Sequence, residues 1–411
     1  METWRRWSAQ TVAWLREGIQ RSRALCGGSR PLSGDAAGGA RRGLARLAGL
    51  FGLRGWRAGV AVTTSALALV LVVGMSLGMW RGARRMPGGN PPKVIGFYQN
   101  GWSAIYRSSF PSVRQHYTTL NTVLAFWYSI DGSGQIHAHQ PSPGVTQWIE
   151  SHQMHMGVLI NNIAGSSGNN AGMLTDPAAR AAAVKNIVTL VRQKHYQEVN
   201  IDFELLHPSA RQGLVTFMQD LRTALPKGVV LSESVFPRLG VPSQLNGAYD
   251  YPALAKVVDY LVVMLYDKHS NGGPAGPVSP YSWVVENMNW LLHTARIPAD
   301  KLVIAAGVYG YDWQVGSTTA TEMPLTEIQA KIKTLGVTPR MDASSENPYF
   351  YYTDSSGNRH VVWYQNQVTV QQRLQLAEKL GLRGMAIWAL GEETPAVWSV
   401  IEQTWTAKKG A

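Results

Sequence analysis

Cysteine is nearly absent from this chain, because Cys26 is the only one among 411 residues. A single thiol excludes disulfide bonds within the chain and any metal site built from a pair of cysteine ligands. The ten histidines show no His-Glu-x-x-His spacing, and the chain contains neither a Gly-x-Ser-x-Gly elbow nor a nucleotide-binding loop. We therefore expect no cofactor and no metal ion, and the chemistry is sought among the carboxylates.

Acidic residues are scarce at the amino-terminal end. Residues 1–93 hold 15 of the 38 lysines and arginines but only three of the 26 acidic residues, which leaves 23 of each sign in the rest of the chain. The excess positive charge therefore belongs to the amino-terminal segment. The main part of the chain has no electrostatic basis for binding nucleic acid.

Charge is absent altogether from Ala58 to Trp80, a stretch of 23 mostly apolar residues. About 20 apolar residues cross a bilayer as a helix, so a transmembrane helix is predicted at 58–80, with a buried core helix as the alternative. Eleven arginines precede this stretch, whereas three arginines and one lysine follow it before residue 94. The positive-inside rule then places segment 1–57 in the cytoplasm and everything after the linker 81–92 outside the membrane.

The cytoplasmic segment divides into two predicted parts. Trp4, Trp7, Leu15 and Ile19 fall on one helical face with most arginines off it, which favours an amphipathic helix lying on an anionic membrane surface. A solvated basic tail is the alternative. Residues 27–40, rich in Gly, Ser and Ala, form the predicted flexible linker.

Polar and apolar residues alternate from Val199 to Glu204, which read Val-Asn-Ile-Asp-Phe-Glu. Because side chains alternate along a strand, Asn200, Asp202 and Glu204 share one face. A helical pattern over residues 178–195 precedes this strand and another follows it, as in a parallel sheet whose outer face is covered. The polar face must then look into a cavity where two carboxylates converge, and this predicts an active site.

Short apolar runs recur eight times after residue 93, and helical patterns lie between most of them. This repetition predicts a (β/α)₈ TIM barrel over residues 93–405, with its active site at the carboxyl ends of the strands. The eight runs are Val94–Tyr98, Thr122–Tyr128, Met156–Ile163, Val199–Phe203, Val229–Val235, Tyr260–Tyr266, Leu302–Val308 and Gly384–Trp388.

The interval from Tyr311 to Arg383 is too long for one loop and one helix. It contains a helix-like segment, Leu325–Leu335, and two strand-like stretches, Tyr349–Thr353 and His360–Tyr364, on either side of a turn. We predict a small α+β insertion after the seventh strand, at about residues 314–366.

Several stretches resemble glycoside hydrolase family 18, the chitinase-like enzymes, and most of all its spore-germination, cortex-lytic branch. Gln197–Glu204 resembles the fourth-strand motif of that branch, and further stretches agree in order and spacing over roughly residues 93–405. The resemblance implies a TIM-barrel glycosidase that acts on an N-acetylglucosamine-containing polysaccharide. These further stretches are Val263–His269, Pro277–Pro280, Gly307–Trp313, Asn347–Phe350 and Gly384–Gly391.

The resemblance also implies roles for individual residues. Glu204 would be the general acid and then the base toward water, while the nucleophile is the 2-acetamido oxygen of the substrate. Asp202 would orient that acetamide and Tyr266 would donate a hydrogen bond to it. Two carboxylates this close are expected to differ in pKa, with one still protonated near neutral pH.

Six further residues are predicted to bind substrate. Trp388 would form the floor of the subsite that carries the distorted sugar, and other aromatic rings at strand ends would stack on pyranose faces. The alternative for the aromatic rings is packing in the core. For Asp267 the alternative is a structural hydrogen bond or ion pair, and for Asn200 it is a role as a hydrogen-bonding spacer. The six are Tyr98, Trp127, Asn200, Met264, Asp267 and Trp388.

Three positions depart from the pattern of the branch. Gln197 and Glu198 stand where an Asp-Gly pair is usual, and Lys268 stands where an aromatic or neutral residue is common. The strand geometry and the charge state of Asp202 depend on the first two. We predict a monomeric, membrane-anchored peptidoglycan N-acetylglucosaminidase, with a non-catalytic sugar-binding barrel and a general chitinase as the alternatives.

Overall fold

The computed structural model describes residues 93–101, 103, 105–163 and 171–405. The predicted cytoplasmic segment, transmembrane helix and linker lie outside these residues. Within the described ranges, no helix combines the length and the apolar character that crossing a bilayer requires. The transmembrane helix therefore stays a prediction.

Among the described residues, fourteen strands form two sheets. Eight of them run parallel, in the order β1-β14-β8-β7-β6-β5-β4-β2, and β1 pairs with both β14 and β2, so that the sheet closes into a barrel. The predicted barrel is confirmed, and each of the eight predicted runs overlaps one barrel strand. The strands are β1 (Lys93–Tyr98), β2 (Thr122–Ile130), β3 (Ile136–Ala138), β4 (His155–Asn161), β5 (Glu198–Asp202), β6 (Val230–Val235), β7 (Tyr260–Met264), β8 (Leu302–Gly307), β9 (Tyr309–Gln314), β10 (Ala320–Pro324), β11 (Arg340–Met341), β12 (Pro348–Thr353), β13 (Arg359–Tyr364) and β14 (Gly384–Trp388).

Helices follow most barrel strands and cover the barrel. They pack on it through apolar positions at helical spacing, such as Leu214, Phe217, Met218 and Leu221 of α5, which are all buried. The helices are α1 (Phe110–His116), α2 (Pro143–Ser151), α3 (Gly172–Thr175), α4 (Pro177–Lys194), α5 (Arg211–Ala224), α6 (Ser243–Asn246), α7 (Tyr251–Val257), α8 (Tyr281–Asn289), α9 (Leu325–Leu335), α10 (Gln367–Leu380) and α11 (Pro395–Trp405).

Local signals fix the ends of α4, the helix that precedes the motif strand. Asp176 caps its amino end by accepting a hydrogen bond from the backbone of Ala178 at 2.9 Å, and Pro177 occupies the first helical position. His195 ends the helix in the left-handed region, with φ of 55°. These signals set where β5 begins and therefore which of its residues face inward.

The apolar core has two layers, separated by the wall of the barrel. A small inner cluster fills the barrel itself and includes Ile95, Phe97, Leu124, Leu159 and Tyr260. A much larger outer cluster lies between the barrel and the helices. Successive side chains along each strand alternate between these two layers. Only every second residue of a strand therefore points into the barrel, where it can reach the active site.

The insertion between β8 and β14 is an antiparallel sheet in the order β10-β9-β13-β12-β11. Helix α9 and the strands β12 and β13 lie where the sequence predicts a helix and two strands. The sheet begins at Tyr309, earlier than the predicted start near residue 314, because β9 follows β8 after Val308 alone. Lys331 of α9 and Tyr352 of β12 both donate hydrogen bonds to Asp312 of β9, which holds the helix on one face of the sheet.

Candidate active site

The carboxyl end of β5 carries the two predicted catalytic carboxylates. Asn200 lies opposite Leu159 of the inner core in the strand register, so Asn200 and Asp202 point into the barrel. Val199, Ile201 and Phe203 alternate with them and are fully buried in the outer layer. The predicted orientation of the motif is therefore the one observed.

Glu204 lies just beyond the end of β5, and Asn162 holds its backbone from the neighbouring strand end. The Asn162 side chain accepts a hydrogen bond from the Glu204 amide at 3.0 Å and donates one to the Glu204 carbonyl at 2.9 Å. Tyr249 donates a hydrogen bond to the carbonyl of Phe203 at 2.9 Å. Leu205 then turns the chain away with φ of 55°. This support fixes the direction in which the Glu204 side chain leaves the strand.

Burial raises the pKa of both carboxyls. The pKa of Asp202, which is 5% exposed, rises from 3.8 to about 7 because the site removes it from water, and a hydrogen bond with Ser234 opposes the shift. The pKa of Glu204 is raised well above its usual value, first by desolvation and then by the nearby charges of Asp202 and Asp267. Glu204 can therefore hold a proton at neutral pH, as a general acid requires.

Tyr266 and Asp267 follow β7 and stand at the same mouth of the barrel. The pKa of Tyr266 is raised well above 10 by desolvation and by the charges of Asp202, Glu204 and Asp267, so its hydroxyl stays a hydrogen-bond donor. Asp267 is exposed to the cleft and has φ of 58°. Although the residue is exposed, the groups around its carboxyl partly desolvate that carboxyl, and this raises its pKa from 3.8 to about 6.

Two tyrosines of the insertion hold Asp267. Tyr309 and Tyr311 of β9 both donate to its Oδ1 oxygen, at 2.6 and 2.9 Å. These bonds favour the ionised form and oppose the rise in pKa. The insertion therefore contributes directly to the site, by fixing one carboxylate of its rim.

Trp388 ends β14 and lies over the inner core. Its ring meets Phe97 and Phe126 edge to face, at centroid distances of 5.5 and 5.8 Å. Trp388 stays partly exposed, so one part of the ring is open to the cleft. Met264, at the end of β7, is buried. It points into the barrel, as do Tyr260 and Val262 at the alternate positions of the same strand.

Two predicted sugar-stacking residues do not reach the cleft. Tyr98 is 2% exposed and Trp127 is fully buried, and their rings pack against each other in the outer layer at 5.5 Å. Trp127 also donates a hydrogen bond to Asn100 at 3.0 Å. Their prediction as substrate-binding residues was wrong, because neither ring has a face open to a ligand. The inward positions of the same strands are those of Phe97 and Phe126.

A second group of acids lies beside the site and was not predicted. Glu392 is buried after β14 and accepts a hydrogen bond from Gln99 at 2.7 Å, and desolvation raises its pKa to about 8. Glu322 of β10 has a pKa raised well above its usual value by desolvation and by the charges of Glu392 and Asp267. Both carboxyls can therefore donate hydrogen bonds near neutral pH.

Several supporting residues were also missed. Asn162 follows β4 and Ser234 lies in β6, and no local pattern links either residue to the motif. Tyr309 and Tyr311 both lie within the stretch 307–313 that resembles the family, which was the one available signal for these tyrosines. The structure brings Asn200, Asp202, Glu204, Met264, Tyr266, Asp267 and Trp388 together at the carboxyl ends of the strands.

Comparison with known proteins agrees with this geometry. The family model "Glycosyl hydrolases family 18" matches residues 93–393. The uncharacterized glycosylase YvbX of Bacillus subtilis is 27% identical over 312 residues, which cover 74% of this chain and 90% of that protein. The cortical fragment-lytic enzyme of Bacillus anthracis is 28% identical over 267 residues, and the match spans 62% of this chain and 61% of that enzyme.

A solved structure extends the agreement to the fold. The chitinase from Chromobacterium violaceum superposes with a TM-score of 0.70 and 27% identity, covering 76% of this chain and 98% of the chitinase. The family and branch indicated by the motifs are confirmed. The match extends over well more than half of the chain, so this protein belongs to glycosyl hydrolases family 18 and is a glycoside hydrolase.

Proposed function

We propose that this protein is a membrane-anchored glycosidase that cleaves β-1,4 bonds in peptidoglycan, with spore cortex as its main substrate. The observation that carries the proposal is the pair of inward carboxyls, Asp202 and Glu204, whose pKa values burial raises beside Tyr266. A carboxyl that is still protonated at neutral pH supplies the acid that departure of the glycosidic oxygen requires.

The reaction is proposed to proceed in two steps with retention of configuration. Glu204 protonates the leaving oxygen while the 2-acetamido oxygen of the substrate attacks the anomeric carbon, which gives an oxazolinium ion. Asp202 holds the acetamide N–H and stabilises the positive charge, and Tyr266 donates to the acetamide oxygen. Water then attacks the anomeric carbon, Glu204 takes its proton, and the oxazoline ring reopens.

The substrate class follows from this chemistry and from the relatives. Substrate assistance needs an acetamido group on the sugar that is cleaved, so the polymer contains N-acetylglucosamine. The similarity to a cortical fragment-lytic enzyme supports peptidoglycan, and the similarity to a chitinase makes chitin the alternative polymer. Rates on cortex fragments and on chitin oligomers, measured side by side, decide between the two.

Replacement of the acid tests the proposal. The full-length protein and Glu204→Gln are incubated with cortex fragments and with chitin oligomers, and products are identified by mass spectrometry. We expect Glu204→Gln to lose about 10²–10⁴-fold in rate, because the leaving oxygen then departs without a proton. Glu233→Gln is the matched control, since Glu233 is also a buried carboxyl but pairs in register with Ile201 of the outer core and so lies on the outward face of β6.

Two outcomes contradict the proposal. Equal product from Glu204→Gln and the unaltered protein would remove Glu204 from the chemistry. Measurable oligosaccharide binding without turnover would favour the non-catalytic sugar-binding barrel. The nucleophile is tested separately with deacetylated oligomers, which we expect the enzyme to leave intact because they lack the acetamido oxygen.

The membrane location is the second part of the proposal. Its support is the uncharged stretch of 23 residues at 58–80 and the arginine excess before it. The glycosidase domain would then act outside the membrane and close to it, where the wall polymer is found.

A further inference from the structure

The sheet of the insertion has one face turned to the active-site cleft. Tyr311 of β9 belongs to this face, because its hydroxyl donates to Asp267 at the rim of the site. In the strand register, Trp363 of β13 lies opposite Tyr311. Tyr349 of β12 lies opposite Trp363, and Arg340 of β11 lies opposite Tyr349. Because directly paired residues of antiparallel strands point to the same face, these four side chains lie side by side, and Arg340 is three strand spacings, about 14 Å, from Tyr311.

The outer part of this face is aromatic and open to solvent. The rings of Tyr349 and Trp363 stack at a centroid distance of 4.5 Å, and Tyr351 lies beside Tyr349 at 5.9 Å. Tyr351 belongs to the same face because it lies two residues after Tyr349 on β12. Tyr349 and Trp363 are partly exposed, and Tyr351 is 43% exposed. Three adjacent rings at the surface offer apolar area to a ligand.

A second arginine stands at the same aromatic group. The guanidinium of Arg359 lies over the Tyr351 ring, 4.6 Å from its centroid. Arg359 pairs with Thr353, two residues beyond Tyr351, so its side chain leaves β13 on this face. Stacking on a ring holds a guanidinium in place but leaves the N–H groups at its edge free to bind. The insertion face is the group formed by Arg340, Tyr349, Tyr351, Arg359 and Trp363.

Both arginines of the insertion face are free to bind an anion. Both are exposed, and within the described residues neither guanidinium forms a hydrogen bond or an ion pair. The acidic residues nearest to them along the chain have other donors. Asp342 accepts from the amide and the hydroxyl of Ser345, at 2.8 and 2.7 Å, and Asp354 accepts from a backbone amide of its own turn at 2.8 Å. The insertion face therefore presents two positive charges that no ion pair within the described part of the chain neutralises.

This charge selects among the groups that could cover the insertion face. Residues 1–93 carry 15 basic residues against three acidic ones, so that segment does not suit a face with two arginines. Chitin is uncharged. Peptidoglycan differs from chitin by the short peptides attached to the lactyl groups of alternate sugars, and these peptides carry free carboxylates. A planar guanidinium binds a carboxylate through two parallel hydrogen bonds.

We propose that the insertion face binds the acidic peptides of peptidoglycan, with Arg340 and Arg359 as carboxylate-binding residues and the aromatic rings as the apolar floor beside them. An extended peptide of four or five residues spans about 13–18 Å, which covers the distance from the rim of the cleft to Arg340. A glycan strand held at the catalytic carboxyls can therefore place the peptide of a neighbouring sugar on this face. This inference rests on the proposed function, since it concerns the polymer that the proposed glycosidase cleaves.

Removal of both guanidinium groups tests the proposal. Full-length Arg340→Gln/Arg359→Gln is compared with the unaltered protein on peptide-bearing glycan fragments, on the same fragments stripped of peptide with an amidase, and on chitin oligomers. We expect the ratio of kcat/KM on peptide-bearing fragments to kcat/KM on stripped fragments to fall roughly 3–30-fold, because two exposed charge contacts are lost. The fall should lie mainly in KM, since the contacts are equally present before and during the reaction. The preference of the unaltered protein should also weaken as salt is raised.

Lys333→Gln/Lys379→Gln is the matched control. It removes the same amount of charge from exposed positions on α9 and α10, and α9 covers the opposite face of the sheet. We expect this variant to keep the ratio of the unaltered protein. Thermal unfolding shows whether each variant is folded. A structural fault would lower kcat/KM on all three probes together, whereas loss of the carboxylate contacts acts on the peptide-bearing probe.

An unchanged ratio in Arg340→Gln/Arg359→Gln would overturn the proposal, as would an equal change in Lys333→Gln/Lys379→Gln. A concentration-dependent dimer that the arginine variant abolishes would also overturn it, since a second copy of the chain would then occupy the insertion face. Failure of the proposed function is recognised separately, because the unaltered protein would then cleave none of the glycan probes. Binding to the peptide-bearing and stripped fragments, measured with Glu204→Gln in place of turnover, would still decide this inference.

Discussion

Asp202 destabilises the folded protein at neutral pH, because its position removes a charged carboxyl from water. Its pKa is about 7 in the folded protein and 3.8 for an unperturbed aspartate. Between these values the folded state holds a proton that the unfolded state has lost. Stability therefore falls as pH rises from about 4 to about 7, and the loss is complete above that window.

Asp202→Asn should therefore be more stable than the unaltered protein at pH 8. We expect a gain of ~2 kcal/mol there and almost none at pH 4, together with a loss of at least about 100-fold in activity. Urea unfolding at the two pH values measures the gain. A difference between the two proteins that is the same at pH 4 and pH 8 would contradict the argument.

Single residues also show which parts of the site could be predicted from the sequence and which could not. The carboxylates were found because polar residues at alternate positions are unusual in a covered strand. Tyr98 and Trp127 were misplaced because both faces of a barrel strand are apolar, so the sequence does not distinguish the inward face. At Trp127 a β-bulge adds to the difficulty, since the pairing of β2 with β4 shifts between Phe126 and Tyr128.

At the scale of elements, Asn347 joins the insertion to the loop that follows β7. Its Oδ1 accepts from the Ser279 amide at 2.9 Å, and its Nδ2 donates to the carbonyls of Ser279 and Ser345 at 2.7 and 3.0 Å. Ser279 in turn donates from its hydroxyl to the carbonyl of Leu265. The residue next to Leu265 is Tyr266, so this contact supports the site from behind.

Asn347→Ala should destabilise the protein by about 1–3 kcal/mol, because it leaves the buried backbone N–H of Ser279 without its partner. We also expect a several-fold fall in kcat through looser placement of Tyr266. Urea unfolding and steady-state kinetics measure the two effects. Asn347→Asp is the second variant, because it keeps the shape of the side chain and the acceptor for the Ser279 amide but loses both N–H donors. If both variants were as stable as the unaltered protein, Asn347 would not have this structural role.

The insertion was predicted only in part, for a physical reason. Helix α9 and the hairpin β12–β13 have local signals, namely helical spacing and a turn rich in Asp, Ser, Gly and Asn. Strand β9 is harder to predict, because it follows β8 after one residue and, although a five-residue loop joins it to β10, its other partner β13 is distant in sequence. Long-range pairing of this kind decides the structure of the segment, and no window of sequence contains it.

At the scale of the whole molecule, the uneven charge and the apolar stretch 58–80 lead to a test of location. If the proposed apolar helix at 58–80 anchors the protein, the full-length protein should sediment with membranes, resist washing with high salt and dissolve in detergent, because surface charge alone would not hold it against salt. A protease added to intact cells with the wall removed should degrade the glycosidase domain. Release by salt alone, or recovery in the culture medium, would contradict an anchor.

The closing strand pair of the barrel has a practical consequence. Lys93, the first residue of β1, pairs with Gly384, the first residue of β14, whereas Tyr266 and Trp388 lie at or beyond the opposite ends of their strands. The polypeptide thus enters the barrel on the side away from the cleft. A bead or sensor chip coupled at position 93 would attach on the side away from the reactive opening, so the immobilised enzyme should still digest particles of insoluble wall.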